Sequence, residues 1–599
     1  MCRAARSAVH GPVNQHFESF GRGDHARVHH FLGAHPVADG VRFAVWAPNA
    51  RTVQVMGDWT GWAAQDMTPS GAGVWTLTSA EACVGHKYKY RVNGQEKADP
   101  VGFLHETAPR TASIIQRSTY VWGDADWSRT CQRDRPLSIY ELHLGSWCEN
   151  ATYRGVADKL IEHVTRLGFT HVEFMPLNEH PYYGSWGYQV TGFFAPTSRY
   201  GSPDDLRYLI DRLHQAGVGV LVDWVPAHFP EDAHGLASFD GTHLFEHADP
   251  RRGFHPDWKT RIFNYGRNEV RSFLISSAAR WIEDFHVDGL RVDAVASMLY
   301  LDYSRKDGEW IPNEFGGREN LEAVAFLKQL NERLHRDFPG VLMVAEESTA
   351  WPGVSKATFE GGLGFDMKWD MGWMHDTLQY LARDPIHRCH HHDELTFRGV
   401  YAFSEAFVLA LSHDEVVHGK GALPSKFPGD AWQQAATTRM LLAYQWAQPG
   451  KKLVFMGMEL GQRREWDHEG TLDWETADEG LMRCVADLNA LYREGLYVGE
   501  MDPAATHWTG MDDAENSVMS FVRGDYVVVC NFTPLARESY RVGVPSAGDW
   551  GEVFNSDRLE YGGSGVVNNP RPTEATPWHG QGQSVQMRLP PLAVVVLRR

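Results

Sequence analysis

The sequence has few cysteines, no long apolar run and no excess of positive charge. Its 599 residues include seven cysteines, which are scattered and form no Cys-x-x-Cys pair. An odd, dispersed set argues against a disulfide framework and is typical of a reducing compartment. No stretch approaches the ~20 apolar residues of a membrane span, and Met1–Phe20 lacks the apolar segment of a signal peptide. We therefore expect a cytoplasmic protein without a membrane partner.

The charge balance excludes a further class of partner. The chain has 57 basic and 76 acidic residues, which gives a formal net charge of −19. A surface with this balance repels the phosphates of nucleic acids, so we expect no nucleic-acid partner. Aromatic residues, in contrast, are plentiful, with 22 Trp and 21 Tyr. Their flat faces stack on sugar rings but also fill ordinary cores, so composition favours a neutral substrate without identifying it.

The hydrophobic pattern divides the chain into four parts. Residues 1–27 are polar and lack periodicity, so we expect a loosely ordered N-terminal tail. Residues 28–125 contain short alternating strands and the hairpin signal Asn93-Gly94, which predict a β-sandwich. Residues 126–496 alternate strands with helices, and residues 497–599 return to strands, which predicts a C-terminal β-sandwich. The link around residue 125 is short and not Gly/Ser-rich, so the first sandwich should pack on the barrel.

The third part predicts the fold class. Repeated strand–helix units indicate a parallel sheet, and eight of them fit an α/β protein with a (β/α)8 barrel. The stretch Pro226–Phe263 is too long for a simple connection, and connections of that length are usually functional. The eight predicted strands are Leu137–Leu144, His171–Leu177, Gly219–Val225, Gly289–Val295, Val341–Glu347, Phe365–Trp369, Phe407–Ser412 and Lys452–Glu459.

Acidic residues recur where the predicted barrel strands end. Active sites of such barrels lie at the carboxyl ends of the strands. Facing carboxylates are typical of glycosidic chemistry, which needs one carboxylate at the sugar carbon and one protonated acid at the leaving oxygen. Crowding raises the pKa of one acid and so supplies that proton. The strand ends carry Asp223 and His228, Arg291 and Asp293, Glu346, and His413 and Asp414.

Other interpretations of single motifs are less specific. Taken alone, Arg291 and Asp293 are as compatible with a structural ion pair as with catalysis, because two residues that alternate along a strand share one face. The histidines between His387 and His392 surround Cys389 and suggest zinc, but clustered His on a polar loop are more often solvated. Gly361–Gly364 is no phosphate loop, since no Lys-Ser/Thr follows it. We expect no metal site and no cofactor.

As a set, these strand-end motifs resemble the short sequence regions of the α-amylase superfamily. The first region corresponds to Asp223–His228, the second to Gly289–Val295, the third to Ala345–Glu347 and the fourth to Leu411–Asp414. The resemblance implies Asp293 as nucleophile, Glu346 as general acid/base and Asp414 as a transition-state stabiliser. It implies supporting, substrate-binding roles for Asp223, His228, Arg291 and His413. A calcium-binding Asn found in many α-amylases is replaced here by Ala227, which implies no such calcium site.

Within that superfamily, the chain is most similar to the 1,4-α-glucan branching enzymes. The similarity lies in Tyr140–Trp147, Gly184–Gln189, Ala345–Thr349 and Ser412–Lys420, and it extends from about Val28 to the C-terminus. It implies that Tyr188 stacks on the sugar beside the scissile bond. It also implies that the first sandwich is a glucan-binding module, with Trp59 and Trp62 as exposed candidates. Many bacterial members carry another N-terminal β module, for which this chain is too short at that end.

These features predict a retaining transglycosylase that acts on an α-glucan polymer as a monomer. It would cleave an internal α-1,4 bond and transfer the chain to a 6-hydroxyl, forming an α-1,6 branch. A trehalose-releasing or debranching hydrolase of the same superfamily is the nearest alternative, because the Arg-x-Asp motif does not separate the two. A non-catalytic glucan-binding protein is a third interpretation, against which the complete set of acids argues.

Overall fold

The computed structural model describes residues 13–129 and 134–599, in which a closed parallel barrel is preceded and followed along the chain by a β-sandwich. Each barrel strand pairs in parallel with its neighbour, and the first closes on the eighth with Ser138 opposite Lys452. All eight predicted strands are present, which confirms the α/β fold with a (β/α)8 barrel. The strands are β1 Ser138–Leu142, β2 His171–Phe174, β3 Gly219–Trp224, β4 Gly289–Val292, β5 Leu342–Ala345, β6 Met367–Trp369, β7 Phe407–Leu411 and β8 Lys451–Phe455.

Helices cover the barrel, and most of them begin at a residue whose side chain caps the first turn. Ser202 and Asp430 each accept a hydrogen bond from the third helical N–H, which satisfies a donor that the helix leaves free. The loop after β5 differs from expectation, because residues 346–366 contain only the short turn Thr358–Glu360, where Gly and Pro disfavour a helix. The barrel helices are Tyr153–Leu167, Pro203–Gln215, Asn268–Asp284, Leu321–Asp337, Met371–Ala382, Ala431–Ala447 and Glu479–Leu491.

The N-terminal sandwich consists of two antiparallel sheets. Asn93 and Gly94 both have positive φ angles (48° and 86°), so they form the tight hairpin turn that their sequence predicts. Trp59 and Trp62 are half-buried rather than exposed, and Trp59 is covered by Phe43 with ring centroids 5.1 Å apart. The principal strands are Gly33–Val37, Gly40–Trp46, Thr68–Gly71 and Val74–Ser79 in one sheet, and Val53–Gly57, Gln65–Asp66, Lys87–Val92 and Gln95–Lys97 in the other.

This sandwich packs on the barrel through the long connection after β3. Asp240 in that connection accepts hydrogen bonds from the backbone and side-chain nitrogens of Asn49, at 2.9 and 3.0 Å. Lys97 donates to the Ala237 carbonyl at 2.9 Å, and the Trp46 ring meets Phe245 edge-on at 5.7 Å. The expected packing of the sandwich on the barrel is therefore confirmed. The connection itself contains the strands His228–Phe229, Phe254–His255 and Thr260–Ile262.

The N-terminal segment corrects one expectation. Residues 1–12 lie outside the described residues, but residues 13–27 are not a loose tail, since Val13–Arg22 forms a helix. Phe20 is 1% exposed and packs edge-on against Trp46 and Phe31. The polarity of this segment did not predict the helix, because one or two buried aromatic side chains are enough to hold a short polar helix against an existing core.

The C-terminal part is a second sandwich joined to the barrel by buried cations. Arg523 is 1% exposed and donates to the carbonyls of Ala447 and Gln448, at 2.7 and 2.6 Å, at the end of helix Ala431–Ala447. A cation is favourable at this negative end of a helix. The strands are Thr506–Gly510, Val518–Arg523, Tyr526–Asn531, Ala593–Arg598, Asp549–Asn555 and Arg571–Pro572 in one sheet, and Arg537–Val544 and Gln583–Leu589 in the other. In the described part of the chain, no helix has the length and apolar character to cross a membrane.

Candidate active site

A buried guanidinium forms the centre of the site at the carboxyl ends of β3 and β4. Strand pairing sets Asp223 directly opposite Arg291, and Asp293 follows two residues later. The Nη1 atom of Arg291 donates to both oxygens of Asp223, at 2.8 and 2.7 Å, and to Oδ1 of Asp293 at 2.7 Å. Trp369 at the end of β6 lies under the guanidinium, 4.3 Å from ring centroid to carbon. One cation thus orients two carboxylates.

A strained turn after β4 brings Glu346 to the same place. Ala294 has a left-handed backbone (φ 53°, ψ 38°), which costs an L-residue roughly 1–2 kcal/mol. The turn directs the Ala294 N–H to Oε2 of Glu346 at 2.8 Å, while the Val295 N–H donates to the Glu346 carbonyl at 2.9 Å. The end of β5 is therefore tied to the residue that follows Asp293.

Burial makes this pair of acids reluctant to ionise. Burial raises the pKa of both Asp293 and Glu346; Arg291 opposes the rise, and neighbouring carboxylates, including Asp414, add to it. A direct hydrogen bond from Arg291 stabilises the ionised form of Asp293, whereas Glu346 receives only a backbone N–H. The proton retained by the pair therefore belongs on Glu346, as a general acid near neutral pH requires.

Asp414 stands at the opening of the site beside a charged histidine. Its side chain is 45% exposed, and its Oδ1 lies 3.5 Å from Nε2 of His413. Desolvation acts to raise the pKa of Asp414, but His413, Arg291 and Lys420 together outweigh it and lower that pKa below its ordinary value. For His413 itself, burial lowers the pKa, yet Asp414 and Glu141 raise it to about 9. Asp414 is thus an ionised acceptor facing the cleft.

Tyr188 completes the cluster. Its hydroxyl donates to Oδ2 of Asp223 at 2.6 Å and lies 3.3 Å from Nε2 of His413. The Tyr188 and His413 rings stack with centroids 5.6 Å apart. The cluster thus brings together seven of the eight site residues predicted from the sequence: Tyr188, Asp223, Arg291, Asp293, Glu346, His413 and Asp414.

Comparison with known proteins identifies the family. Residues 31–106 match Carbohydrate-binding module 48 (Isoamylase N-terminal domain), residues 129–243 match Alpha amylase, catalytic domain, and residues 508–599 match Alpha amylase, C-terminal all-beta domain. The 1,4-alpha-glucan branching enzyme GlgB of Aromatoleum aromaticum is 54% identical, with 99% of this chain and 98% of that protein covered. The GlgB protein of Aquifex aeolicus is 52% identical, with 97% of each chain covered. The chain belongs to the 1,4-alpha-glucan branching enzyme family.

Members of this branching enzyme family differ in length. The GlgB protein of Mycolicibacterium paratuberculosis is 51% identical over 98% of this chain, but only 84% of that longer protein is covered. A crystallised Salmonella typhimurium protein described as an alpha amylase superposes with a TM-score of 0.70 over 95% of this chain and 100% of its own. At 19% identity, that likeness supports the fold alone.

His228 is placed differently from the other predicted branching-enzyme residues. It is 4% exposed, and its Nδ1 has no hydrogen-bond partner among the described residues. Its ring faces Trp258 at 4.9 Å, and Trp258 stacks on His255 at 3.9 Å, so His228 lies beside the cluster rather than in its hydrogen-bond network. Burial lowers the pKa of His228 to about 3, which keeps the ring neutral.

Three branching-enzyme loops form an aromatic wall next to His413. Trp186, after β2, stacks on His418, after β7, at 5.3 Å, and both have left-handed backbones. Trp466, after β8, meets Trp186 at 5.0 Å, and Trp186 lies 6.0 Å from His413. The unfavourable backbone conformations of Trp186 and His418 hold two of these three rings in fixed positions, so the wall gives the cleft a rigid aromatic side.

The histidine-rich stretch lies away from this site. His387 and His390 belong to the turn Pro385–His390, and His391 pairs with Glu394 at 3.3 Å. In the described residues, the one set of three converging potential metal ligands is His29, His30 and Glu283, to which that stretch contributes nothing. Oε2 of Glu283 in that set already accepts a hydrogen bond from Arg27 at 2.7 Å.

Sequence reasoning missed Glu141, which lies on β1 and binds His413. Glu141 lies within the stretch Tyr140–Trp147 that carries the family resemblance, but the resemblance implies no role for it. An acid within an otherwise apolar strand, as in Ile139-Tyr140-Glu141-Leu142, was the signal that could have revealed it. Trp369 was missed for a different reason, because nothing local distinguishes a cation-binding Trp from an ordinary core Trp.

Proposed function

We propose that this chain cleaves α-1,4 bonds of a linear glucan and transfers the released chain to a 6-hydroxyl, forming α-1,6 branches. The support is the coincidence, in one cleft, of a guanidinium-oriented carboxylate (Asp293), a buried acid that retains its proton (Glu346) and an ionised acid at the opening (Asp414). Full-length relatives with over half of their residues identical carry the name of this activity.

In the first step, the Asp293 carboxylate attacks the anomeric carbon of the bound sugar. The glycosidic C–O bond breaks, and Glu346 gives its proton to the leaving oxygen. That oxygen departs as the 4-hydroxyl of the segment that is not transferred. A glycosyl ester remains on Asp293. Arg291, itself paired with Asp223, holds the Asp293 carboxylate in place, and Tyr188 and Asp414 both lie near Nε2 of His413 where the sugar would bind.

In the second step, Glu346 is ionised and acts as a base. It takes the proton from the 6-hydroxyl of an acceptor glucan, the hydroxyl oxygen attacks the anomeric carbon, and the ester bond to Asp293 breaks. Two inversions give net retention, and Asp293 and Glu346 return to their starting protonation states. His228, neutral and buried beside Trp258, contributes to the wall of the sugar site.

Transfer competes with water for the same ester. A positioned hydroxyl can reach effective molarities of roughly 10⁵ M or more, which exceeds the concentration of bulk water. The acceptor must therefore be held over the cleft, and the aromatic wall of Trp186, His418 and Trp466 offers flat faces for it. The N-terminal sandwich, which matches a carbohydrate-binding module, would retain the polymer near the cleft. We propose that the protein works in this way as a cytoplasmic monomer.

One assay separates transfer from hydrolysis. With amylose as substrate, transfer lowers the iodine absorbance, while the number of reducing ends stays nearly constant when it is counted before any debranching enzyme is added. Hydrolysis raises reducing ends in step with the loss of iodine colour. The second result would reject branching and assign the chain to the hydrolases of the superfamily.

A further inference from the structure

Glu141 holds His413 by two hydrogen bonds at once. The backbone N–H of His413 donates to Oε2 of Glu141 at 3.0 Å, and Nδ1 of its ring lies 2.6 Å from Oε1. Both side chains are buried, with 1% and 3% of their surface exposed. The carboxylate therefore fixes the backbone and the ring of a residue 272 positions away in sequence.

The contacts of Nε2, the ring nitrogen of His413 that faces away from Glu141, determine the protonation of the ring. The hydroxyl of Tyr188 has a single hydrogen, which it gives to Asp223 at 2.6 Å, so towards Nε2 of His413 at 3.3 Å it can only accept. Nε2 must then carry a hydrogen. Nδ1 carries one too, because it faces the accepting carboxylate of Glu141. A histidine that donates from both nitrogens is an imidazolium.

We infer that Glu141 is a positioning residue that holds His413 as a doubly protonated imidazolium and fixes the direction in which His413 donates into the cleft. This inference rests on the proposed roles of Asp293, Glu346 and Asp414. Without the carboxylate, Tyr188 would lose its donor in part of the population, and Asp414 would lose the cation beside it.

Charged and titratable groups surround His413 on several strands. Asp414 lies on its own loop, Glu141 on β1, Tyr188 on the loop after β2 and Arg291 on β4, while Phe455 and Trp466 contribute only rings from the β8 side. Glu173 on β2 lies directly opposite Glu141, and its two oxygens have no partner among the described residues. Burial, with Glu141 and Asp223, raises the pKa of Glu173 far above its usual range, so it stays neutral.

The test uses a donor that needs no proton. Fluoride leaves without protonation, so kcat/KM for an α-maltooligosyl fluoride follows ester formation without the titration of Glu346 as an acid. For the unmodified protein, we expect kcat/KM to fall at high pH as His413 loses its proton, near its pKa of about 9. Glu141→Gln removes the anion, and this fall should move to lower pH by at least about one unit.

Two variants separate position from charge. Glu141→Asp keeps the charge but is one methylene shorter, so it cannot reach both the backbone N–H and the ring of His413. We expect kcat/KM to be lower at every pH, while its fall at high pH, the alkaline limb of the profile, stays at the same pH. Asp288→Asn is the matched control, because Asp288 is also a buried carboxylate bound to a histidine, with Oδ2 3.0 Å from Nε2 of His214. It should leave the pH profile unchanged.

Three results would overturn the inference. They are an unchanged alkaline limb in folded Glu141→Gln, the same shift in Asp288→Asn, or an unchanged kcat/KM in Glu141→Asp. Circular dichroism and thermal melting establish folding; if Glu141→Gln does not fold, Glu141→Asp decides alone.

Ester formation is common to transferases and hydrolases, so a hydrolase result in the iodine assay leaves this test intact. Failure of the unmodified protein to release fluoride would instead reject the proposed function.

Discussion

The two ends of the barrel use the same kinds of side chain to opposite effect. At the amino end of the strands, His214 donates to Asp124 and Asp288 at 3.0 Å each, and Trp127 stacks on its ring at 4.6 Å. At the carboxyl end, His413 likewise lies between acids, but Asp293 and Glu346 depend on the one guanidinium of Arg291, while Asp414 lies beside His413.

Charge matching explains the difference. At the amino end, burial acts to raise the pKa of Asp124, but hydrogen bonds from His214 and His286 outweigh it and lower that pKa to about 2. At the carboxyl end, burial wins, and the pKa values of Asp293 and Glu346 rise. The first network stabilises the fold, whereas the second keeps a proton and an unsatisfied charge for chemistry, as functional sites often do at a cost in stability.

The largest expected effect comes from exchanging an acid at each end for its amide. Asp293→Asn should lower branching and any hydrolysis together by at least about 10⁴-fold, because both pass through one ester. It should not lower the melting temperature, since ionised Asp293 is costly to bury. Asp288→Asn should do the reverse, with activity kept and a loss of stability of about 3 kcal/mol from the broken buried pair. Equal losses of activity in the two variants would contradict the functional separation of the ends.

The proton on Glu346 gives the next largest effect. Glu346→Gln should slow the reaction with amylose by about 10²- to 10⁴-fold. Release of fluoride from an α-maltooligosyl fluoride should be largely spared, because that leaving group needs no acid. Fluoride release and iodine absorbance, followed on the same preparation, measure the two. A parallel loss on both donors would argue that Glu346 orients the sugar rather than protonating the leaving oxygen.

A third test uses the pH dependence of stability at the amino end. Burial acts to lower the pKa of His214, but Asp124 and Asp288 together outweigh burial and raise that pKa. The contribution of His214 to folding stability is therefore complete below the unfolded pKa of about 6.5, and it is lost as the pH rises through the folded pKa. Asp124, with a pKa of about 2, contributes above about pH 4 and loses its contribution on acidification. The melting temperatures of the unmodified protein and Asp288→Asn should therefore differ most near about pH 5 and converge at alkaline pH. A difference that grew with pH would refute the assignment.

The smallest expected effect lies outside the barrel. Trp62→Ala should weaken retention on amylopectin by a few-fold and leave kcat on short maltooligosaccharides unchanged, because the sandwich acts on polymer binding. Trp578→Ala in the C-terminal sandwich, where Trp578 is 46% exposed, is the matched control. Affinity electrophoresis in amylopectin gels measures the retention. Equal retention of the two variants would remove Trp62 from the binding surface.

Much of the architecture follows from local pattern. Apolar runs such as Val220-Leu221-Val222 predict buried strands, and the acids after them predict the face that carries chemistry. The helix Val13–Arg22 was not predictable in this way, since Phe20 gains its burial from Trp46 of the N-terminal sandwich. The half-burial of Trp59 was missed for the same reason, because Phe43 covers its ring.

The sequence by itself determined which chemical groups stand at the strand ends. Asp223, Arg291, Asp293, Glu346, His413 and Asp414 are placed there by the period of the strands, which is a local property. Only the closed barrel decided which of them meet in one buried cluster. Closure of β1 on β8 and pairing of β3 with β4 bring Glu141 to His413 and Asp223 to Arg291. Their protonation depends on that proximity and on burial, because charge interactions fall with distance and with the polarity of the medium between the groups.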